Sequence, residues 1–150
     1  AVLDTAQQAL LEGAERLGMS RDVRLVRKER AVGLLYTGRV GRSTAFFLEE
    51  LALLAREAVG SSQAQAEEAL PFCSFNGGRD VFVDIGTKAI GIDLLRELVG
   101  AERSETLHVG DQFTRTGNDL SARQACGTVW VDDPEETAVV TRLLLEAMDE

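Results

Sequence analysis

Apolar positions along the chain change their period repeatedly, and each change predicts a new element. Over residues 3–17, Leu3, Ala6, Leu10, Ala14 and Leu17 recur at helical spacing and define one face of a helix that Gly18 stops. "RDVRLVRKERAVGLLYTGR" then sets Val, Leu and Tyr between charges, which predicts one or two strands turning near Lys28-Glu29 and ending at Gly38. Helical spacing returns from a Ser43 or Thr44 cap to about Val59, with Phe47, Leu51, Leu54 and Ala58 inward. The polar "GSSQAQAEEA" that follows has no period and reads as a linker.

From Pro71 the elements are denser. "FCSF" and "DVFVDIG" are short apolar strands joined across Asn76-Gly77-Gly78, residues that tolerate the backbone of a hairpin turn. "KAIGIDLLRELVG" predicts a helix with Leu94, Leu95, Leu98 and Val99 inward and Gly100 at its end. "TLHVG" and "TVWV" are strands, and "NDLSARQACG" between them is a short helix ended by Gly127. "DPEETAVVTRLLLEAM" opens with Asp133 as N-cap, Pro134 at the first helical position and Glu136 closing a capping box. Residues 79–148 therefore alternate strand and helix, the pattern of an α/β fold whose parallel strands present a ligand edge at their carboxyl ends. No internal repeat is visible. Residues 1–70 are less regular and are expected to form a cap or an insertion on the same sheet as 71–150.

Composition narrows the function classes. At 150 residues, 45% hydrophobic and 27% charged, the chain has the size and balance of a globular domain. A net charge of -9 argues against a general nucleic-acid binder, which needs surplus Lys and Arg. Cys73 and Cys126 form no C-x-x-C pair and read as small buried residues, and a single His offers no zinc-type ligand set. With no apolar run of 18 residues and no signal-peptide pattern, no membrane role is expected and a cytoplasmic protein is. The first residues, "AVLDTAQQ", carry no initiator Met and run straight into a helical pattern, as a processed or excised chain would.

Three residues carry candidate chemistry. Asp111 follows Gly110 at the carboxyl end of a strand, and Asp119 lies eight residues on, where it would open the next helix. Two readings of the pair stand side by side. It is a turn acid with an N-cap acid, or two carboxylates converging on Mg²⁺, a hard cation that shares oxygen ligands with phosphate. Lys88 follows the preceding strand and begins a helix. A cation there opposes the helix dipole, which favours a role in neutralising phosphoryl oxygens at the same edge. Asp84 reads as a loop residue and not a nucleophile, because the chain contains no D-x-D triplet. Arg24, Arg27, Lys28 and Arg30 read as the solvated face of a strand, His108 as a packed strand residue, and Trp130 as core close to the ligand edge.

"PFCSFNGGRDVFVDIGTKAIGI" and "TLHVGDQFTRTGNDLSARQACGTVWVDDPEET" closely resemble the carboxyl-terminal part of the IMP-specific 5′-nucleotidases, a family of the haloacid dehalogenase superfamily. "RLVRKERAVGL" and "FFLEELALLAREAV" are similar to the segment before it. The resemblance implies a Rossmann-like core with an inserted cap and Mg²⁺-dependent hydrolysis of IMP to inosine and phosphate. It matches Lys88 to the Lys that contacts phosphate and nucleophile, Asp111 to the Mg²⁺ ligand, and Asp119, with Asn118, to a second acid position that supports the metal shell or its loop. Lys88 and Asn118 are thereby the substrate-side contacts. It also implies a homo-oligomer, with a tetramer in view, and an ATP effector. The family's nucleophile and acid–base pair lie on an upstream D-x-D loop, so this chain is expected to supply part of a site and to be inactive alone. The competing expectation is a non-catalytic nucleotide- or phosphate-binding regulatory module.

Overall fold

The computed structural model describes residues 1–149, the side chain of Arg42 excepted. The chain forms two compact units. The first comprises Ala1–Thr87 with Thr116–Asn118, and the second Lys88–Arg115 with Asp119 to the end of the described chain.

In the first unit a helix followed by a hairpin occurs twice: α1 (Val2–Arg16), β1 (Val23–Arg27) and β2 (Ala31–Tyr36), then α2 (Arg42–Gln63), β3 (Phe72–Asn76) and β4 (Asp80–Ile85). The order of elements thus repeats although the sequence does not. The two hairpins join through their second strands, giving an antiparallel sheet in the order β1-β2-β4-β3. Val32 opposite Val83 and Leu34 opposite Val81 form the centre of the core, and all four are fully buried. Leu10 and Ala14 of α1 and Leu48, Leu51, Ala52, Ala55 and Val59 of α2 complete it. Ser74 is a fully buried polar residue against this core, and its hydroxyl donates to the Ala52 carbonyl at 2.7 Å.

Several expectations change here. β4 pairs with β2 and β3 and is not part of a parallel sheet, because the Asn76–Gly78 turn folds it back on β3 and its alternating valines fit the core already made by β2. Residues 71–87 accordingly group with the N-terminal unit. α2 is capped two to three residues earlier than expected, at Gly41, whose N–H donates to the Thr44 hydroxyl at 3.0 Å. It also runs through Gly60–Gln63, so the linker reading holds only beyond that point, and the Gln63 side chain accepts from the Leu70 N–H. Its inner face is rotated from the expected one because α2 packs on both α1 and the sheet; Leu54 and Ala58 are only half-buried.

The second unit contains α3 (Lys88–Val99), β5 (Leu107–Gly110), a 3-10 turn over Leu120–Gln124, β6 (Gly127–Trp130) and α4 (Pro134–Met148). β5 and β6 are parallel, with Val109 opposite Val129. The Asp133 side chain accepts from Glu136 N–H at 2.7 Å, as an N-cap should. Glu136 reaches back one residue further than a capping box requires, to the Asp132 N–H. Leu94, Leu95, Leu98 and Val99, expected inward, are 58–82% exposed, and the side of α3 turned in is Ala89, Ile92 and Arg96. α3 carries more apolar residues than its neighbours, the 3-10 turn foremost, can cover, and only the Ala89–Ile92–Arg96 side is turned in. For the same reason Trp130, expected in the core, is 55% exposed.

Gly33 tests how tightly the central pair is closed. A Cβ there would lie 2.4 Å from the Val81 carbonyl oxygen and 2.5 Å from the Phe82 ring. Gly33→Ala should cost about 2–3 kcal/mol, the scale of overpacking. Urea unfolding of the chain measures it, and an unchanged midpoint would mean that the β2–β4 pair relaxes freely.

Candidate functional site

The site grows from the alternation of β5. His108 and Gly110 are two apart and share one face of the strand. On that face Gly110 leaves a space that Asp119 fills, since a Cβ on Gly110 would meet the Asp119 carboxyl carbon at 2.5 Å and its oxygens at 2.6 and 2.8 Å. The backbone fixes Asp119 there by a two-way clasp. Its own N–H donates to the Gln112 carbonyl at 3.0 Å, and the Gln112 N–H donates to Asp119 Oδ2 at 2.9 Å.

The other carboxylate oxygen, Oδ1, takes both the Lys88 ammonium and His108 Nε2, the latter at 2.5 Å. Asp119 is 1% exposed. Burial by itself would push its carboxyl up. The hydrogen bonds from Lys88, His108 and the Gln112 N–H outweigh that and hold it below the ordinary carboxylate range. Asp119 is therefore a buried, satisfied anion, and the N-cap role expected of it is not taken: it has helical backbone angles and its side chain caps nothing. Lys88 is the first residue of α3, as expected, and its ammonium is ion-paired.

Asp111 stands exposed just past β5, and its backbone carbonyl accepts from Trp130 Nε1 at 3.0 Å. It lines a cleft of about 350 Å³ with Val109, Val131, Asp132, Asp133 and Thr137. Sequence reasoning gave Asp132 no place near the site. The signal was available, since "VDDP" begins at the carboxyl end of the strand parallel to β5. Asn118 is half-buried and adjoins Asp119 in the chain.

Among the described residues no three His, Cys, Asp or Glu side chains gather as a metal-binding group. Mg²⁺ does not require one, because it keeps several waters and takes one or two carboxylates with substrate phosphate. The exposed carboxylate of Asp111 fits such a ligand. Asp119, with both oxygens engaged by protein donors, fits the supporting role.

Asp84 lies within β4 and not in a loop, opposite Ala31 and Cys73. Burial pushes its carboxyl up, with the charge of Lys28 opposing. Among the basic residues of the first hairpin, Arg27 pairs with Asp4 at 2.7 Å and Lys28 lies over the Phe82 ring at 4.7 Å. Cys126 is buried as expected, while Cys73 is only half-buried.

Residues 1–141 match the family described as IMP-specific 5′-nucleotidase. The chain is 37% identical over 156 aligned residues to IMP-specific 5′-nucleotidase 1 of Neurospora crassa, covering 98% of this chain and 36% of that protein. Among solved structures, an IMP-bound, N-terminally truncated IMP-nucleotidase of Plasmodium falciparum superposes with a TM-score of 0.84 at 28% identity, covering 97% of this chain and 37% of that one. An ATP-bound structure of the same nucleotidase superposes with a TM-score of 0.69 at 30% identity, covering 91% and 31%. The chain thus spans about a third of the length of the relatives it matches.

The charge state of Asp119 has a measurable consequence. Its folded-state pKa is lowered, so its contribution is complete above the unfolded carboxylate value, about 4. The contribution is lost as pH falls through the lower folded value. In chelator, Asp119→Asn should cost about 1–3 kcal/mol near pH 7. It should also flatten the loss of stability below pH 4. Urea unfolding across pH 2–7 checks both, and parallel curves for the two proteins would mean that this ionisation is not coupled to folding.

Proposed function

We infer that this chain, which belongs to the IMP-specific 5′-nucleotidase family, is the cap-bearing, carboxyl-terminal part of a larger phosphomonoesterase that converts IMP to inosine and phosphate. The observation that carries the reading is the Lys88–Asp119 ion pair built against β5 one residue before Asp111. A phosphate-contacting cation held by a buried acid, beside an exposed acid on the same strand end, is the arrangement a phosphoryl-transfer edge requires.

Each residue has a definable task. Asp119 fixes Lys88 by accepting from its ammonium, and Lys88 then presents a compact positive charge to the phosphoryl oxygens as charge builds on them. Asp111 holds Mg²⁺, which supplies further charge neutralisation at the phosphoryl group when bound. Gly110 gives Asp119 its seat, and Gln112 N–H locks the start of the loop that carries Asp111. Asn118 sits on the substrate side. The nucleophilic Asp, which forms the aspartyl-phosphate, and the Asp that protonates the leaving ribose oxygen come from a D-x-D loop elsewhere in the parent. Residues 1–87, two helices on one face of an open antiparallel sheet, serve as the cap. The parent is a cytoplasmic homo-oligomer, a tetramer by the family resemblance. An ATP effector is part of the same reading, supported by the ATP-bound relative.

In the full-length parent, Asp111→Asn should abolish Mg²⁺-dependent release of phosphate from IMP while leaving the free energy of unfolding within about 1 kcal/mol. Lys88→Ala should lower kcat/KM by about 10²–10³-fold, the scale of losing one electrostatic stabiliser. A phosphate-release assay decides. Undiminished turnover in Asp111→Asn would remove that residue from the metal site. A wild-type parent that binds IMP without hydrolysing it would replace the enzyme reading with that of a regulatory nucleotide-binding module.

A further inference from the structure

His108 is the one histidine of the chain, and the chemistry above does not use it. Its surroundings give it a defined state. An ionised carboxylate only accepts hydrogen bonds, so the contact of Nε2 with Asp119 Oδ1 requires the proton to sit on Nε2. The ring is held from its other side by aromatic contacts. Phe113, 5% exposed, meets it edge-on with centroids 6.0 Å apart at 68°. Trp130 packs on Phe113, again at 6.0 Å, and the Arg123 guanidinium lies over the Phe113 ring at 5.2 Å. Trp130 in turn donates Nε1–H to the Asp111 carbonyl. A row of three rings therefore runs from the backbone of Asp111 to the carboxylate of Asp119.

We propose that His108 is a positioning residue for Lys88: by donating to Asp119 Oδ1 it fixes the plane of that carboxylate, and the aromatic row places this anchor in register with Asp111. The physical need is specific. Lys88 has a flexible four-carbon stem and finds a unique position only if its acceptor is immobile. The Gln112 N–H holds one oxygen of Asp119 and His108 holds the other, so the carboxylate cannot turn about its last bond. A Phe or Leu in place of His108 could pack against Phe113 but would leave Oδ1 to Lys88 alone. The role explains why a polar ring occupies an inward position of a short apolar strand.

The proposal rests on the hydrolase reading, and its test keeps the two apart. His108→Asn and His108→Gln are made in the full-length parent. The Gln amide nitrogen can stand where Nε2 stands, whereas the Asn amide stops one bond short. With Mg²⁺ and IMP, His108→Asn should lower kcat by about 10–100-fold, the scale of a small misplacement of a charge-stabilising group. KM should change by less than about 2-fold, and His108→Gln should recover most of the lost rate. In metal-free protein without substrate, an amine-reactive label read out by peptide mass spectrometry should modify Lys88 faster in His108→Asn than in wild type or His108→Gln. Equal loss of kcat in both variants, or equal labelling of Lys88 in all three proteins, would overturn the proposal and leave His108 a packing residue. A wild-type parent inactive on IMP would defeat the hydrolase reading only, because the order of labelling rates still decides the positioning role.

Discussion

Burying one carboxylate organises the second unit. An unpaired charge in a protein interior costs many kcal/mol, so Asp119 can exist at 1% exposure only if donors surround it. The sequence provides them from three different places: the start of α3 through Lys88, β5 through His108, and the loop after β5 through the Gln112 N–H. Each donor satisfies the charge and is itself located by it. The strength of a charge-assisted hydrogen bond in a dry site makes this a better constraint on geometry than apolar contact of the same area.

That constraint accounts for residues around it that look unrelated in sequence. Gly110 cannot carry a side chain because the carboxylate lies where its Cβ would be. Phe113 packs against His108 and Trp130 against Phe113, and the half-exposed Trp130 donates its indole N–H to the Asp111 carbonyl. Asp111 is left exposed at the mouth of a cleft that Asp132 and Asp133 also line. Two acids that look equivalent in "GDQFTRTGND" are thereby given opposite environments.

The first unit obeys a plainer rule. Its sheet is antiparallel because each half is a hairpin, and the hairpins meet along β2 and β4 where alternating Val and Leu face two helices. The exposed leucines of α3 in the second unit show the converse case. A leucine-rich helix in a unit with few packing partners has more apolar surface than its neighbours can cover.

What the sequence determined by itself is local. The helical period of residues 3–17, the alternation in both hairpins, the Asn76-Gly77-Gly78 turn and the Asp133-Pro134 helix start all fix their elements through backbone preference and patterning, which act over a few residues. Lys88 as the first residue of a helix and Asp111 just past a strand end were also legible, because both positions follow from local patterning. Only the tertiary structure decided that β4 pairs with β2 as well as with its hairpin partner β3, since strand pattern does not name a second neighbour and the choice depends on the core that β2 brings. It alone decided that Asp119 is a buried anchor, and that His108 and Lys88, far apart in the chain, share the Asp119 Oδ1 oxygen. Charge satisfaction is a property of atoms converging from distant positions, and spacing along a chain does not encode where the donors will meet.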